Sequence, residues 1–264
     1  MHFTDILESL EGDGDQWRAQ VPDSWLQGRT AFGGLQAALG LAAMRRVAGT
    51  DVPLRVLQTT FVAPVPGGEV SLQARRLRAG KSVTHAAAEL LVDGATACIQ
   101  VGIFGGSRAS ELRLDAPAPP ALPRPETLVD LPFAPGITPE FTRQFGFRWA
   151  DGTPPFTGAR QGRTRIYIRH RQPAPRLDEA QVVALTDAIP SPALSMLTKP
   201  AMASSLTWTL EMLAPIPAVD SEAWWLIDTE ITAARDGYVN MTGLLYAPDG
   251  QAVVLTRQSV VVFG

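Results

Sequence analysis

The chain has 264 residues, of which 45% are hydrophobic and 19% charged, the profile of an ordinary globular protein with material for one large domain or two small ones. A formal net charge of -3 and a pI near 5.7, without basic runs or a lysine-rich arm, remove nucleic acid and anionic membranes from the expected partners. The single cysteine, Cys98, excludes an intrachain disulfide; the opening MHFTDILESL lacks the basic start and apolar core of a secretion signal, and no apolar run approaches the roughly 18 residues of a bilayer span. A soluble chain in a reducing cytoplasm is the expectation.

The first pattern in chain order is FGGLQAALGLAAMRRV, where Gly33 and Gly34 precede Leu35, Ala38, Leu39, Ala42 and Ala43 at helical spacing. It is apolar on nearly every side, which predicts a helix wrapped by other structure. Period-two alternation then predicts strands over 54–63, 69–78, 82–92 and 96–104. From Pro117 to Pro139 the sequence PAPPALPRPETLVDLPFAPGITP cannot sustain a helix or a central strand, because proline lacks the amide donor and fixes φ. The chain therefore divides into a first unit over 1–110, a proline-rich linker over 111–139 and a second unit over 140–264. In the second unit a helix begins near Asp178 and includes Asp187, and strands follow over 203–213, 223–234, 238–246 and 251–263. One helix with four strands is expected in each unit.

Short landmarks recur in the same order. Ala63-Pro64-Val65-Pro66 answers Ala214-Pro215-Ile216-Pro217, Asp93-Gly94 answers Asp249-Gly250, and Val101-Gly102-Ile103-Phe104-Gly105 answers Val260-Val261-Val262-Phe263-Gly264, at an offset of about 155 residues. Asp-Gly alone is a common hairpin turn, but the shared order indicates duplication. Neither unit has a second layer of its own, so an α+β fold follows in which a long antiparallel sheet curls around each apolar helix and the two sheets join.

The segments TAFGGLQAALGLAA, FVAPVPGGEV, ALTDAIPSPAL and DGQAVVLTRQS together resemble the acyl-CoA thioesterase II (TesB-like) family of double hotdog proteins, in order across nearly the whole chain. The resemblance implies a double hotdog of two tandem units and hydrolysis of acyl-CoA thioesters in fatty acid metabolism. The water is held by an Asp, a Thr or Ser, and a Gln, all from the second hotdog. Carried over residue by residue, the acid is Asp187, the hydroxyl is Ser205 in SSLTWTLEML, and the amide is Gln258, eight residues beyond the hairpin Gly250. Gly33 and Gly34 become candidate oxyanion donors. Many relatives carry an Asp-His pair shortly after the hydroxyl residue; here Thr207-Trp208 stands in its place, and both are carried as substrate-binding candidates. No cofactor and no metal are implied. Leftover sheet edges suggest a homo-oligomer, a dimer of double hotdogs.

The residue types fit this chemistry without the resemblance. A thioester carbonyl is electrophilic enough for a positioned water to attack once a carboxylate base takes its proton, so no covalent nucleophile is needed. Helix-start amides backed by the helix dipole suit a developing oxyanion. Each residue also has a plainer reading. Asp187 can be a helix-end cap, Gln258 an amide bonded to backbone, Gly33-Gly34 a place of close helix passage, and Trp208 strand core. Gln36 can lie near the site or serve packing. Arg75, Arg76 and Arg78 read as a solvated cluster or as phosphate contacts.

Other chemistries lack their residues. There is no Gly-x-Ser-x-Gly elbow, Walker loop or dinucleotide glycine fingerprint; His2, His85 and His170 are scattered, and Asn240 is the only asparagine. Cys98 reads as a buried small residue. The first helix carries no acid between Phe32 and Met44, so only one of two possible sites is equipped. A non-catalytic double hotdog that binds acyl groups or acts in assembly stands as the alternative.

Overall fold

The computed structural model describes residues 1–172 and 177–263; Gly264, the last residue of the third repeat landmark, lies outside them. A short helix α1 (Phe3–Glu8) leads through β1 (Glu11–Asp13) and β2 (Gln16–Val21) to a small ladder of β3 (Leu26–Gln27) with β4 (Thr30–Ala31). Helix α2 (Gly33–Ala48) follows, then β5 (Leu54–Phe61), β6 (Gly68–Ala79), β7 (Val83–Val92) and β8 (Ala95–Gly105). Residues 106–139 hold no strand and a single 3-10 turn (Pro125–Thr127). The second half runs β9 (Phe145–Asp151), β10 (Arg163–His170), α3 (Glu179–Asp187), α4 (Pro192–Met196), β11 (Met202–Met212), β12 (Trp225–Arg235), β13 (Tyr238–Tyr246) and β14 (Ala252–Phe263).

All but β3 and β4 form one antiparallel sheet of 12 strands in the order β1-β2-β6-β7-β8-β5-β11-β14-β13-β12-β10-β9. Each half therefore supplies six strands to this sheet, not the four expected from the alternation, because two of its strands, β1 and β2 before α2 and β9 and β10 before α3, pair at its outer ends. The halves meet where β5 pairs with β11: Leu57 faces Leu210, Thr59 faces Trp208, and Gln58 with Thr209 sits at the centre. This pairing is self-symmetric, so the joint behaves as a pseudo-two-fold axis. It is also buried, with Leu57, Thr59, Trp208 and Leu210 each no more than 2% exposed.

The two long helices lie side by side inside the sheet and run antiparallel. Helix α2 stops at Gly49, whose φ of 64° is the left-handed geometry that glycine adopts without strain. Helix α3 starts at Asp178, whose side chain accepts from the Gln181 amide while the Gln181 side chain accepts from the Asp178 amide, a reciprocal cap. Arg45 in the last turn of α2 then reaches Glu179 in the first turn of α3 at 2.5 Å, and Glu179 also accepts from the Leu54 amide at 2.7 Å. At the opposite end, the start of α2 meets the finish of α3. That second junction contains Asp187.

Candidate active site

Asp187 is the last residue of α3. Buried aliphatic positions Val182, Val183, Ala184 and Leu185 bring this helix against α2 and the sheet, and carry the carboxylate with it. The first turn of α2 has no side-chain cap of its own, since its preceding residue is Phe32. Its amides are thus the unsatisfied donors of a helix N-terminus. Asp187 Oδ2 is brought up against this first turn at Gly33, where the positive end of α2 favours its ionised form.

The two glycines are required by this approach. A methyl group built on Gly33 would lie 2.6 Å from Asp187 Oδ2, and one on Gly34 would lie 3.1 Å from the Cα of Ala184. Of the two readings of Gly33-Gly34 from sequence, close passage is the one this geometry displays.

Gln258 completes the contact from β14. Its Nε2 donates one hydrogen to Asp187 Oδ1 at 3.0 Å and the other to Ser205 Oγ at 2.8 Å. Both neighbours are acceptors, which fixes the amide orientation, because the reverse would set the Gln258 oxygen against a carboxylate. Ser205 accepts from Gln258, so its own hydroxyl hydrogen is left to donate elsewhere.

Strand parity alone would hide Ser205. Trp208 and Leu210 point to the helices, so strict alternation would place Leu206 inward and Ser205 outward. The register of β11 against β14 slips between Ser205 and Thr207, leaving Leu206 as the extra residue of a bulge. The slip sets Ser205 opposite Val260, on the inner face with Gln258.

Burial pushes the Asp187 carboxyl from its ordinary 3.8 up to about 7, with the Gln258 and Gly34 hydrogen bonds pulling the other way. The residue nevertheless keeps partial exposure. A crowded carboxyl with one accessible flank, poised near neutrality, is suited to take a proton at physiological pH.

The remaining candidates fall elsewhere or in other roles. Thr207 is exposed on the outer face of β11, and Trp208 is core, its Nε1 donating to Thr256 Oγ1 at 2.8 Å. Gln36 is buried and donates to the Ala31 carbonyl at 2.7 Å, a packing role. Arg75, Arg76 and Arg78 are exposed. Cys98 is buried and its thiol is pushed up to about 12, which leaves it inert as a nucleophile. Among the described residues no helix is long and apolar enough to cross a membrane. A groove of about 760 Å³ between the proline-rich segment and the outer face of β10, β12 and β13 is lined by Tyr167, Arg169, Trp224 and Tyr246, not by the acid.

One residue beside the acid was missed from sequence. Phe61, the last residue of β5, brings its ring edge to Gly33: the same built methyl would lie 3.1 Å from Phe61 Cζ. The FVAPVPGGEV landmark that begins with it was legible as a junction but gave no sign of which way the ring turns.

Two antiparallel sheets joined edge to edge, each around its own helix, define a double hotdog protein. The chain resembles a hot dog fold protein of unknown function from Alicyclobacillus acidocaldarius at 24% identity, covering 100% of this chain and 99% of that one, with a TM-score of 0.88. It also resembles the tesB protein of Mycobacterium avium subs paratuberculosis (15% identity, 99% and 100% covered, TM-score 0.80) and the acyl-CoA thioesterase II TesB2 of Mycobacterium marinum (18%, 99% and 98%, 0.78). No curated protein matches the sequence. Residues 21–105 match the acyl-CoA thioesterase N-terminal domain and residues 125–262, more than half of the chain, the acyl-CoA thioesterase C-terminal domain; the chain belongs to this family.

Proposed function

We propose that the protein hydrolyses acyl-CoA thioesters to a free acid and CoA, using a water activated by Asp187 with Ser205 and Gln258. The observation that carries this reading is the single Gln258 amide bonded to both Asp187 and Ser205, three residues from three separate elements. Family membership supplies the substrate class.

In the proposed step, water donates one hydrogen to Asp187 and accepts from the Ser205 hydroxyl. Its oxygen attacks the thioester carbon as the proton passes to Asp187, giving a tetrahedral oxyanion held by amides at the start of α2. Collapse breaks the C–S bond, and the proton on Asp187 goes to the departing CoA thiolate. Atoms and charge balance without an acyl-enzyme intermediate. Thr207 and Trp208 have no part in this step.

We further infer a unit division at 1–110 and 140–264 around a linker, supported by the separate N- and C-terminal family matches. A reducing cytoplasm and a homo-oligomer remain our reading, supported by the lone buried Cys98 and by the sheet ends at β1 and β9.

A second reading has its own observation. Asp187 lies beside an α2 terminus that lacks a side-chain cap, and the attraction of that terminus for a carboxylate alone would justify an acid here in a non-catalytic acyl-binding double hotdog. Release of CoA from a panel of acyl-CoA chain lengths, measured for the parent and Asp187→Asn, separates the two. The hydrolase reading expects turnover that falls at least about 100-fold in the variant. Equal turnover in both would defeat the assignment, and no turnover on any chain would favour the binding protein.

A further inference from the structure

The acid, hydroxyl and amide all come from the second half, yet a first-half side chain closes the same site. Phe61 ends β5, where Thr59 is 2% exposed and Thr60 is exposed, so alternation turns the Phe61 ring to the inner face. It packs on the main core while keeping partial exposure. Across the joint, Thr60 pairs with Thr207, which sets Phe61 opposite the Leu206 bulge that delivers Ser205. On its other flank the ring edge and Asp187 Oδ2 converge on Gly33, at 3.1 and 2.6 Å from the position of a built methyl. Phe61 thus lies between the helix amides, the acid and the hydroxyl.

We propose that Phe61 is a positioning residue for Asp187 and the wall that bounds the acyl group on the first-half side of the reacting centre. The proposal rests on the hydrolase reading for its acyl part and on geometry alone for its effect on the acid. An aromatic edge excludes water from the carboxylate flank nearest α2, which is one source of the burial that holds its proton affinity high. The same edge stands where a substituent close to the thioester carbon would be, so it favours straight acyl chains over branched or aryl ones.

The test uses Phe61→Ala and Phe61→Leu in the full chain, the leucine variant keeping the strand and most of the packing. Asp187 is titrated by carboxyl 13C NMR, its signal assigned by its loss in Asp187→Asn. Its midpoint is expected to fall by about one pH unit in Phe61→Ala and by less in Phe61→Leu. The ratio of kcat/KM for branched over straight acyl-CoA is expected to rise roughly ten-fold in the alanine variant. A midpoint that stays at the parent value in Phe61→Ala overturns the positioning role whatever the turnover, and an unchanged acyl ratio overturns the wall. A parent that hydrolyses nothing overturns the hydrolase reading instead, while the titration still decides the effect of Phe61 on the acid.

Discussion

Replacing Asp187 by Asn is expected to stabilise the protein at alkaline pH while abolishing turnover, and the stability difference carries a defined sign. The Asp187 carboxyl moves from 3.8 to about 7 on folding. Below the lower value both states are protonated and the group is neutral to stability. Between the two, the native state holds a proton that the unfolded chain has released, so native stability falls as pH rises. Above about 7 the full penalty stands. At about 1.4 kcal/mol per unit this is at most about 4 kcal/mol, and partial exposure reduces it toward ~2. Asn retains an oxygen for Gln258 and cannot ionise. Urea unfolding of both proteins from pH 4 to 8 should therefore give an Asn-minus-parent difference that grows by about 2–4 kcal/mol across the range. His170 supplies an internal contrast. Burial lowers it from 6.5 to about 4, so it contributes stability that is lost as pH falls through that window, the opposite slope. The parent should look nearly flat between pH 4 and 6.5, and the Asn variant should not. A difference independent of pH would refute the buried-acid argument.

The same carboxyl predicts a kcat/KM profile that rises with pH through a midpoint near 7, read from initial rates in overlapping buffers. Gln258→Leu removes a hydrogen bond that favours the ionised acid and leaves Ser205 without its donor. Its rate should fall about 100-fold and the ascending limb should move to higher pH. Gly33→Ala places a methyl 2.6 Å from Asp187 Oδ2; about 1–3 kcal/mol of stability and more than about ten-fold in kcat should be lost, seen by urea melts and steady-state assay.

The parts of this fold legible from sequence are those governed by local period. The α2 helix, the hairpins turning at Asp93-Gly94 and Asp249-Gly250, and strand β13 over Tyr238–Tyr246 follow from spacing and turn chemistry. β10 was missed although RTRIYIRH alternates: Ile166, Ile168 and His170 face the core, while Arg163 and Arg165 face outward onto Asp228 of β12. A buried carboxylate 65 residues away makes those arginines strand residues, and a single segment does not display it. The acid and the amide, like the hydroxyl, were carried over from the family resemblance, helped by the hairpin at Asp249-Gly250. Ser205 was found by resemblance, but its inward turn depends on a bulge that shifts register by one residue, a property of pairing rather than of composition.

The pseudo-two-fold axis also explains why one chain should carry one site. The β5 register slips between Leu54 and Val56 where β11 slips between Ser205 and Thr207, so Leu54 occupies the place of Ser205. Leu54 faces Phe104 as Ser205 faces Val260, and Leu57 faces Gly102 as Trp208 faces Gln258, so the pairing corrects the end-strand landmark by three residues: Gly102 answers Gln258 and not Val261. The first-half equivalents of the hydroxyl and the amide are thus a leucine and a glycine. A methyl on Gly102 would meet Met44 Sδ at 3.1 Å, so the space that Gln258 fills in one half is filled by the α2 thioether in the other. At that end of the helix pair, the junction is Arg45 with Glu179, an ion pair and not a free base. A non-hydrolysable thioether analogue of acyl-CoA should bind with a stoichiometry of one per chain in calorimetry. Leu54→Ala, at a position 1% exposed, should cost about 2–5 kcal/mol of stability yet leave kcat/KM within about two-fold, because it deletes packing and no chemistry. Two equivalents bound per chain, or a turnover that collapses in a folded Leu54→Ala protein, would mean that the first half still works as a site.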